Sequence, residues 1–394
     1  MDLRKLIGFQ TEFALRFGRH LLSKRVRDSN VVFSPCSLHV VLSLIAAGAK
    51  DGTLEHTLSF LKSEKNEDLN LLASQLVGII LADGSSRGGP LLSFVNGVWV
   101  EKTLPLKPSF KEIASGSYRA EAKEVDFQAK ALEVANEVNL WAEKETNGLI
   151  KELLPPGSVD ASTRLIFANA LYYKGEWKDK FDKSSTRDFD FHLLDGTTVQ
   201  VPFMTSQKKQ FVTAFDGFKV LTLPYKKGED RRQFSMYFFL PDEKDGLQNL
   251  LEKMGSDPGF IDRHIPLQEV KVSEFRMPRF KISDQVEASN ELKEMGLSLP
   301  FSGEDGLTEM VDSPVGRNLY VSSIHHKSVI EVNEEGSEAA AASGAVIALR
   351  SLLVNEPIDF VADHPFLFLI REDMTGVVLF IGHVINPLLA TNEA

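Results

Sequence analysis

Cysteine is almost absent from this chain of 394 residues: Cys36 stands alone, so no disulfide can form within it and zinc frameworks built on paired cysteines are excluded. Basic residues are fewer than acidic ones, 44 against 55, and the net charge of −11 argues against a phosphate-binding surface and hence against a nucleic-acid partner. The densest basic stretch, Lys226, Lys227, Arg231 and Arg232, is interrupted by Glu229 and Asp230 and reads as a solvated surface turn. No apolar run reaches membrane-spanning length, and no Asn-x-Ser/Thr sequon occurs. The N-terminal stretch sets Arg4, Lys5, Glu12, Arg16 and Arg19 among its apolar positions, where a secretory signal needs an unbroken hydrophobic segment. These absences point to a reducing, cytoplasmic setting without membrane contact.

Enzyme signatures are missing too. No glycine pattern of a dinucleotide site and no phosphate-binding loop occurs. One formal nucleophile-elbow match exists, Gly84-Ser85-Ser86-Arg87-Gly88, but that motif requires a strand before it and a helix directly after. Here Gly89-Pro90 and the strand-like Leu91 to Val100 follow, so the match reads as a loop. His325, His326 and His364 have no carboxylate or cysteine at ligand spacing and read as structural. No catalysis, metal or cofactor is expected.

What the chain does contain is an apolar fraction of 43%, ample for a large core. Leu3, Leu6, Phe13, Phe17 and Leu21 recur at helical spacing, Ser37 to Ala49 continues in that style, and Ala131 to Leu154 reads as a long helix closed by Asn147-Gly148 and Pro155-Pro156. The period then changes. Leu165 to Tyr173, Val220 to Leu223, Phe234 to Leu240, Val270 to Phe275 and Phe366 to Ile370 are rich in β-branched and aromatic residues and read as strands. Turn signals at Asp195-Gly196, Pro224, Pro241-Asp242 and Pro278 punctuate them. With no repeat and no linker, residues 1–394 read as one α+β domain, helices first and sheets later.

The stretch Glu334-Glu335-Gly336-Ser337-Glu338-Ala339-Ala340-Ala341-Ala342-Ser343 has the propensity of a helix, because alanine is the best helix former. Its flanks oppose that: Ser328 to Val332 is strand-like and Asn355-Glu356-Pro357 turn-like. The stretch resembles the hinge of the reactive-centre loop in inhibitory serpins. Other motifs carry the resemblance along nearly the whole chain: Asn30 to Pro35 with Ser37, Phe167 to Tyr172 with Lys174, Gly175 and Trp177, Asp359 to Phe368, and Phe380 to Val384.

That resemblance implies a serpin fold of about nine helices and three sheets, with the hinge and an exposed reactive-centre loop spanning about 334–358. It implies an irreversible, single-use protease inhibitor that is itself not an enzyme. Its partner would be a target protease, held covalently by a monomer. In the family the cleaved bond lies after the fourteenth residue beyond the hinge glycine, which from Gly336 gives Arg350 and a cut before Ser351. Leu349-Arg350-Ser351, preceded by Ala348, resembles the Leu-Arg centres of plant serpins. Arginine suits proteases with an acidic pocket, trypsin-like serine enzymes and Arg-cleaving cysteine enzymes alike, since guanidinium pairs bidentately with carboxylate. By the same resemblance Ser34, Ser37, Asn169 and His326 form a polar shutter beneath the opening sheet, and Arg279 and Glu334 a salt bridge where the loop enters. Cys36 is expected to have a packing role. The subgroup leaves open an apoplastic location reached without a signal peptide. The other reading on the same fold is a non-inhibitory storage, carrier or chaperone-like member; such members usually lose the alanine-rich hinge.

Side chains alternate across a strand, so insertion of the loop would turn Ser337, Ala339, Ala341, Ser343, Ala345 and Ile347 toward the core, all small or apolar, and leave Glu338 on the other face.

Overall fold

The period of the apolar residues decides each element. At the N-terminus helix α1 (Leu3–Arg25) buries Leu6, Phe13, Phe17 and Leu21 along one stripe; Asp2 accepts the Arg4 N–H at its start, and Lys24 and Arg25 complement the dipole in its last turn. Helix α2 (Pro35–Gly48) carries no charged residue and is buried on every side, as an all-round apolar helix must be. The computed structural model describes residues 2–304, 306–312, 314–336 and 358–389. Among these the remaining helices are α3 (Asp51–Phe60), α4 (Asn66–Gln75), α5 (Pro108–Tyr118), α6 (Phe127–Glu145), α7 (Leu247–Ser256), α8 (Phe260–Arg263) and α9 (Ala288–Glu294).

The strands in chain order are β1 (Val31–Phe33), β2 (Leu91–Glu101), β3 (Glu121–Val125), β4 (Leu165–Lys174), β5 (Arg187–His192), β6 (Thr198–Thr205), β7 (Gln210–Phe215) and β8 (Phe218–Pro224). They continue with β9 (Phe234–Pro241), β10 (Glu269–Val270), β11 (Val272–Pro278), β12 (Phe280–Glu287), β13 (Ser323–Val332), β14 (Ile358–Val361), β15 (Phe366–Glu372) and β16 (Val378–Val384). They build three sheets: a seven-stranded one in the order β1-β16-β15-β9-β8-β7-β10, a four-stranded one in the order β14-β11-β6-β5, and a five-stranded one in the order β12-β13-β4-β2-β3.

The five-stranded sheet positions the site. Its inner face joins the main core through Leu165, Phe167, Leu171 and Tyr173, while its outer face packs Val95, Trp99, Ile166, Ala168 and Ala170 against Val134, Val138 and Ala142 of α6. In its centre β4 pairs antiparallel with β2 but parallel with β13.

Two sequence expectations change, and the loop reading of Gly84–Gly88 holds. The helix expected over Ala131 to Leu154 runs from Phe127 to Glu145, capped at its start by the Asp126 carboxylate and ended where Asn147 and Gly148 take left-handed φ values of 52° and 80°. Residues 149–154 leave it as an irregular connection, because Asn139 holds Leu154 by both backbone groups, at 3.0 and 2.7 Å. The Gly84–Gly88 match is a short 3₁₀ turn followed by β2, without the helix an elbow needs. Arg232 is a correction: its side chain is only 9% exposed. Its guanidinium donates to the carbonyls of Ile79, Ile80 and Ala82 while pairing with Asp230, so it caps the end of a π-helical turn that would otherwise leave its carbonyls unpaired.

Candidate functional site

Above the parallel pair β4/β13 the chain reverses. Strand β13 ends at Val332 and residues 333–336 form a tight turn in which Asn333 N–H donates to Gly336 O at 3.0 Å and Gly336 N–H to Asn333 O at 3.3 Å. Gly336 has φ +123°, and a Cβ there would stand 2.2 Å from Gly175 O, so glycine is required both by conformation and by the close approach. Gly336 then forms an antiparallel bridge with Glu176, in the chain just beyond β4. At this point the backbone runs opposite to β4 and is aimed back along the sheet.

Many contacts fasten that turn to the segment after β4. Trp177 N–H donates to Glu335 O at 3.0 Å, Phe181 N–H to Glu334 O at 2.9 Å, and the Trp177 indole N–H to Asn333 O at 2.8 Å. Trp177 is buried and stacks on Tyr225 with centroids 4.5 Å apart. The Glu334 carboxylate is 3% exposed, accepts Thr186 Oγ1–H at 2.6 Å and lies 3.7 Å from Arg279 Nε. Glu335 lies 3.2 Å from Lys180 Nζ and 2.8 Å from Lys183 Nζ. Lys183 first and Lys180 second hold its carboxyl below the usual carboxylate range.

Lower in the same sheet, Asn169 of β4 and His326 of β13 are register partners. Both are buried, as are Ser34 and Ser37 at the start of α2. Ser34 N–H donates to His326 Nε2 at 2.8 Å, which makes Nε2 the bare nitrogen; Nδ1 therefore carries the proton and donates to Asn169 Oδ1 at 2.6 Å. Asn169 Nδ2 donates to Ser37 O at 3.0 Å, Ser34 Oγ accepts Ser37 N–H at 3.1 Å, and Ser328 Oγ lies 2.8 Å from His326 Nε2. Burial drives the His326 pKa down to about 3, as an imidazole that accepts from the backbone requires. The four residues expected as a shutter thus form one network tying helix α2 to both sides of the β4/β13 seam.

Arg279 and Glu334, read from the sequence as a pair, lie 3.7 Å apart. Ser337 to Ser343, Ala348, Leu349 and the Arg350–Ser351 bond lie outside the described residues. Cys36 is fully buried beside the network, and burial pushes its thiol up to about 12, which suits packing and not reactivity. His364 is buried between Asp363 Oδ1 at 2.7 Å and Pro241 O at 2.8 Å, an anchoring position. Among the described residues His20, Glu291 and Glu294 are close enough to share an ion, but Lys24 Nζ already sits 2.8 and 2.7 Å from the same two carboxylates. Sequence reasoning did not find Lys180 and Lys183: they stand in an irregular connection, where no periodic pattern marks a contact. Nor did it find that Lys327 Nζ and Gln285 Nε2 donate to the carbonyls of Glu152 and Leu153, drawing the α6–β4 connection across the seam.

The serpin family profile, described as serine protease inhibitor, matches residues 9–387. The chain is 58% identical to Serpin-ZX of Arabidopsis thaliana over 390 residues, covering 98% of this chain and all of that one. It is likewise 58% identical to Serpin-ZXA of Oryza sativa subsp. japonica over 394 residues, 99% of each. The structure of Arabidopsis AtSerpin1 in a native stressed conformation superposes with a TM-score of 0.94 over 98% of this chain and 99% of that chain, at 58% identity. Serpin48 of the insect Tenebrio molitor does so at 0.83 and 26% identity, over 98% and 99%.

Proposed function

The chain belongs to the serpin family, a family of protease inhibitors, and from that premise we propose that it is an irreversible trap for Arg-cleaving proteases, cut between Arg350 and Ser351. The observation that carries the reading is the parallel seam between β4 and β13 with a reversed turn already built above it. An incoming strand running opposite to both neighbours replaces one parallel ladder with two antiparallel ones, the slightly more stable pairing. A dozen inserted residues form on the order of ten to twenty ladder hydrogen bonds at roughly 1 kcal/mol each. That total, about 10–20 kcal/mol, is comparable to or larger than the ~5–15 kcal/mol stability of an ordinary domain, which is the scale needed to distort a tethered protease.

The register supports the fit. Carried down one residue at a time from the two bridges, Gly336 opposite Glu176 and Gly336 opposite Asn333, it brings Ser343 opposite both Asn169 and His326. Those two are themselves partners across the seam, so both countings agree. Ser343 would then stand where the His326–Asn169 hydrogen bond is broken, and a hydroxyl can accept from one and donate to the other. Ala341 and Ala345 fall opposite Leu171 and Phe167, on the core face. Glu338 falls opposite Lys174, on the outer face.

In the reaction the protease Ser Oγ or Cys Sγ attacks the Arg350 carbonyl carbon. The bond to Ser351 breaks, its amine leaves with a proton, and Arg350 remains as an ester or thioester. Insertion carries the acyl-enzyme away before water releases it. The hinge residues Glu334 to Ser343, the shutter and the Arg279–Glu334 pair serve that movement; Leu349 and Ala348 adjust protease choice. We place the activity in the cytoplasm, on a monomer and without a cofactor. The small residues on the inserting face weigh against a storage, carrier or chaperone-like role.

Incubation with trypsin and with a papain-like protease, followed by a denaturing gel, is the test. A detergent-stable band at the summed mass is expected from the wild type and none from Arg350→Glu, which sets like charge against an acidic pocket. Wild-type protein that is only nicked would sink the trap; unimpaired inhibition of trypsin by the variant would sink the assigned bond.

A further inference from the structure

Glu335 stands out because its side chain is only 15% exposed and both of its carboxylate oxygens are taken, Oε1 by Lys183 at 2.8 Å and Oε2 by Lys180 at 3.2 Å. Lys180 also lies 3.6 Å from Glu176, the residue that bridges Gly336, and Lys226 reaches the same Glu176 oxygen at 3.2 Å. One chain of alternating charges therefore runs from the hinge turn to the top of β4. Glu335 N–H donates to Asn333 Oδ1 at 3.0 Å, so backbone and side chain of this one residue are fixed by separate partners. Its neighbour Glu334 has a different set, Thr186 and Arg279, facing the four-stranded sheet.

Insertion needs a turn before it can form a ladder. Nucleating a reversal is the unfavourable step, since several dihedrals are fixed before any ladder bond is gained, whereas each later residue adds its own. Here the reversal is already made and the backbone at Gly336 already runs against β4. We propose that Glu335, through Lys180 and Lys183, is a positioning residue that holds this turn ready, so that insertion outpaces hydrolysis of the acyl-enzyme. The role rests on the inhibitory reading. The pairs reach toward solvent, Lys183 being 63% exposed, so salt weakens them and the trap becomes leakier as ionic strength rises.

The experiment compares wild type, Glu335→Gln, Glu335→Lys and the double variant Glu335→Lys with Lys183→Glu against trypsin at low and high salt. It reads the ratio of cleaved inhibitor to stable complex, and separately the rate of encounter with the protease. The ratio should rise roughly threefold to tenfold in Glu335→Gln, more in Glu335→Lys, and fall back in the double variant, with encounter rate unchanged. Salt should raise the wild-type ratio and leave Glu335→Gln nearly flat. Amide exchange at residues 335 and 336 of the uncleaved protein should quicken in Glu335→Gln, a readout independent of any protease. Complex from the wild type with an unchanged or lowered ratio in Glu335→Gln overturns this role alone. No complex from the wild type overturns the inhibitory reading and this role with it.

Discussion

Strand β4 has two neighbours in one sheet, and they are held differently. Toward β2 it runs antiparallel through ten register partners, from Leu91 opposite Lys174 to Val100 opposite Leu165. Toward β13 it runs parallel through seven, from Ser323 opposite Ile166 to Val329 opposite Tyr172. On the β2 side, α6 lies over the sheet with Trp99 and Trp141 in edge contact, centroids 4.9 Å apart, and Gly97 makes room, since a Cβ there would stand 2.5 Å from Trp99. On the β13 side the outer face is crossed by the α6–β4 connection, tied through Lys327 and Gln285. Apolar packing resists separation over its whole area, whereas a few hydrogen bonds can be exchanged for others. Of the two sides of β4, the β13 side is the one that the proposed insertion would part.

Cross-links give the largest effect that would break this comparison. Cysteines at Ala170 and Lys327 span the seam at register partners, and cysteines at Ala170 and Val95 span the ladder. Paired strand positions lie within disulfide reach. The oxidised seam pair should be cleaved by trypsin without forming any complex and should recover trapping on reduction, while the ladder pair should trap normally in both states. Trapping by the oxidised seam pair would show that the sheet opens elsewhere.

Asparagines sharpen the comparison further, for Asn96 lies directly opposite Asn169. Asn169→Ala strands the His326 Nδ1–H in a buried site and removes a second bond from the Ser37 carbonyl, and the one unpaired group should cost about 1–3 kcal/mol. Asn96 makes one long contact, to Tyr118 O at 3.5 Å, and its Oδ1 has no partner among the described residues, so Asn96→Ala should cost less than about 1 kcal/mol. Urea unfolding of the two variants measures the gap; equal losses would erase the distinction between the sides.

The smallest expected difference is in pH. His326 is neutral in the fold down to about 3, while an unfolded histidine takes up its proton near 6.5. Its contribution is whole above pH 6.5 and is lost as pH falls from there toward 3, at up to about 1.4 kcal/mol per pH unit. His39, His325 and His383, each driven by burial to about 4, lose stability over the same range. Asp284, lifted by burial to about 6, opposes them by gaining a proton in the fold first. Urea midpoints between pH 7.5 and 5 should therefore fall, less steeply in His326→Gln, with Asn96→Ala keeping the wild-type slope. An unchanged slope in His326→Gln would remove His326 from this account.

Much of the site was legible because its residues are constrained locally. The hinge glycine meets a conformational rule at its own position, and Ser34 caps the start of α2 within three positions. Arg232 was not legible. A run of charges reads as solvated, yet this guanidinium is enclosed because it meets carbonyls 150 to 153 positions earlier. The end of α6 was misplaced for a related reason, since the apolar positions to Leu154 continue as packing against the sheet after the helix has stopped.

By itself the sequence determined the absence of any internal disulfide and the apolar stripe of helix α1. Those follow from composition and from the helical period of 3.6 residues, which short windows display. Only the tertiary structure decided that Asn169 and His326, 157 positions apart, share one register, that the strands bearing them run parallel, and that Glu335 meets Lys180 and Lys183. A strand's period reports which face is buried but carries no mark of the strand beside it; that partner is chosen when the whole core closes.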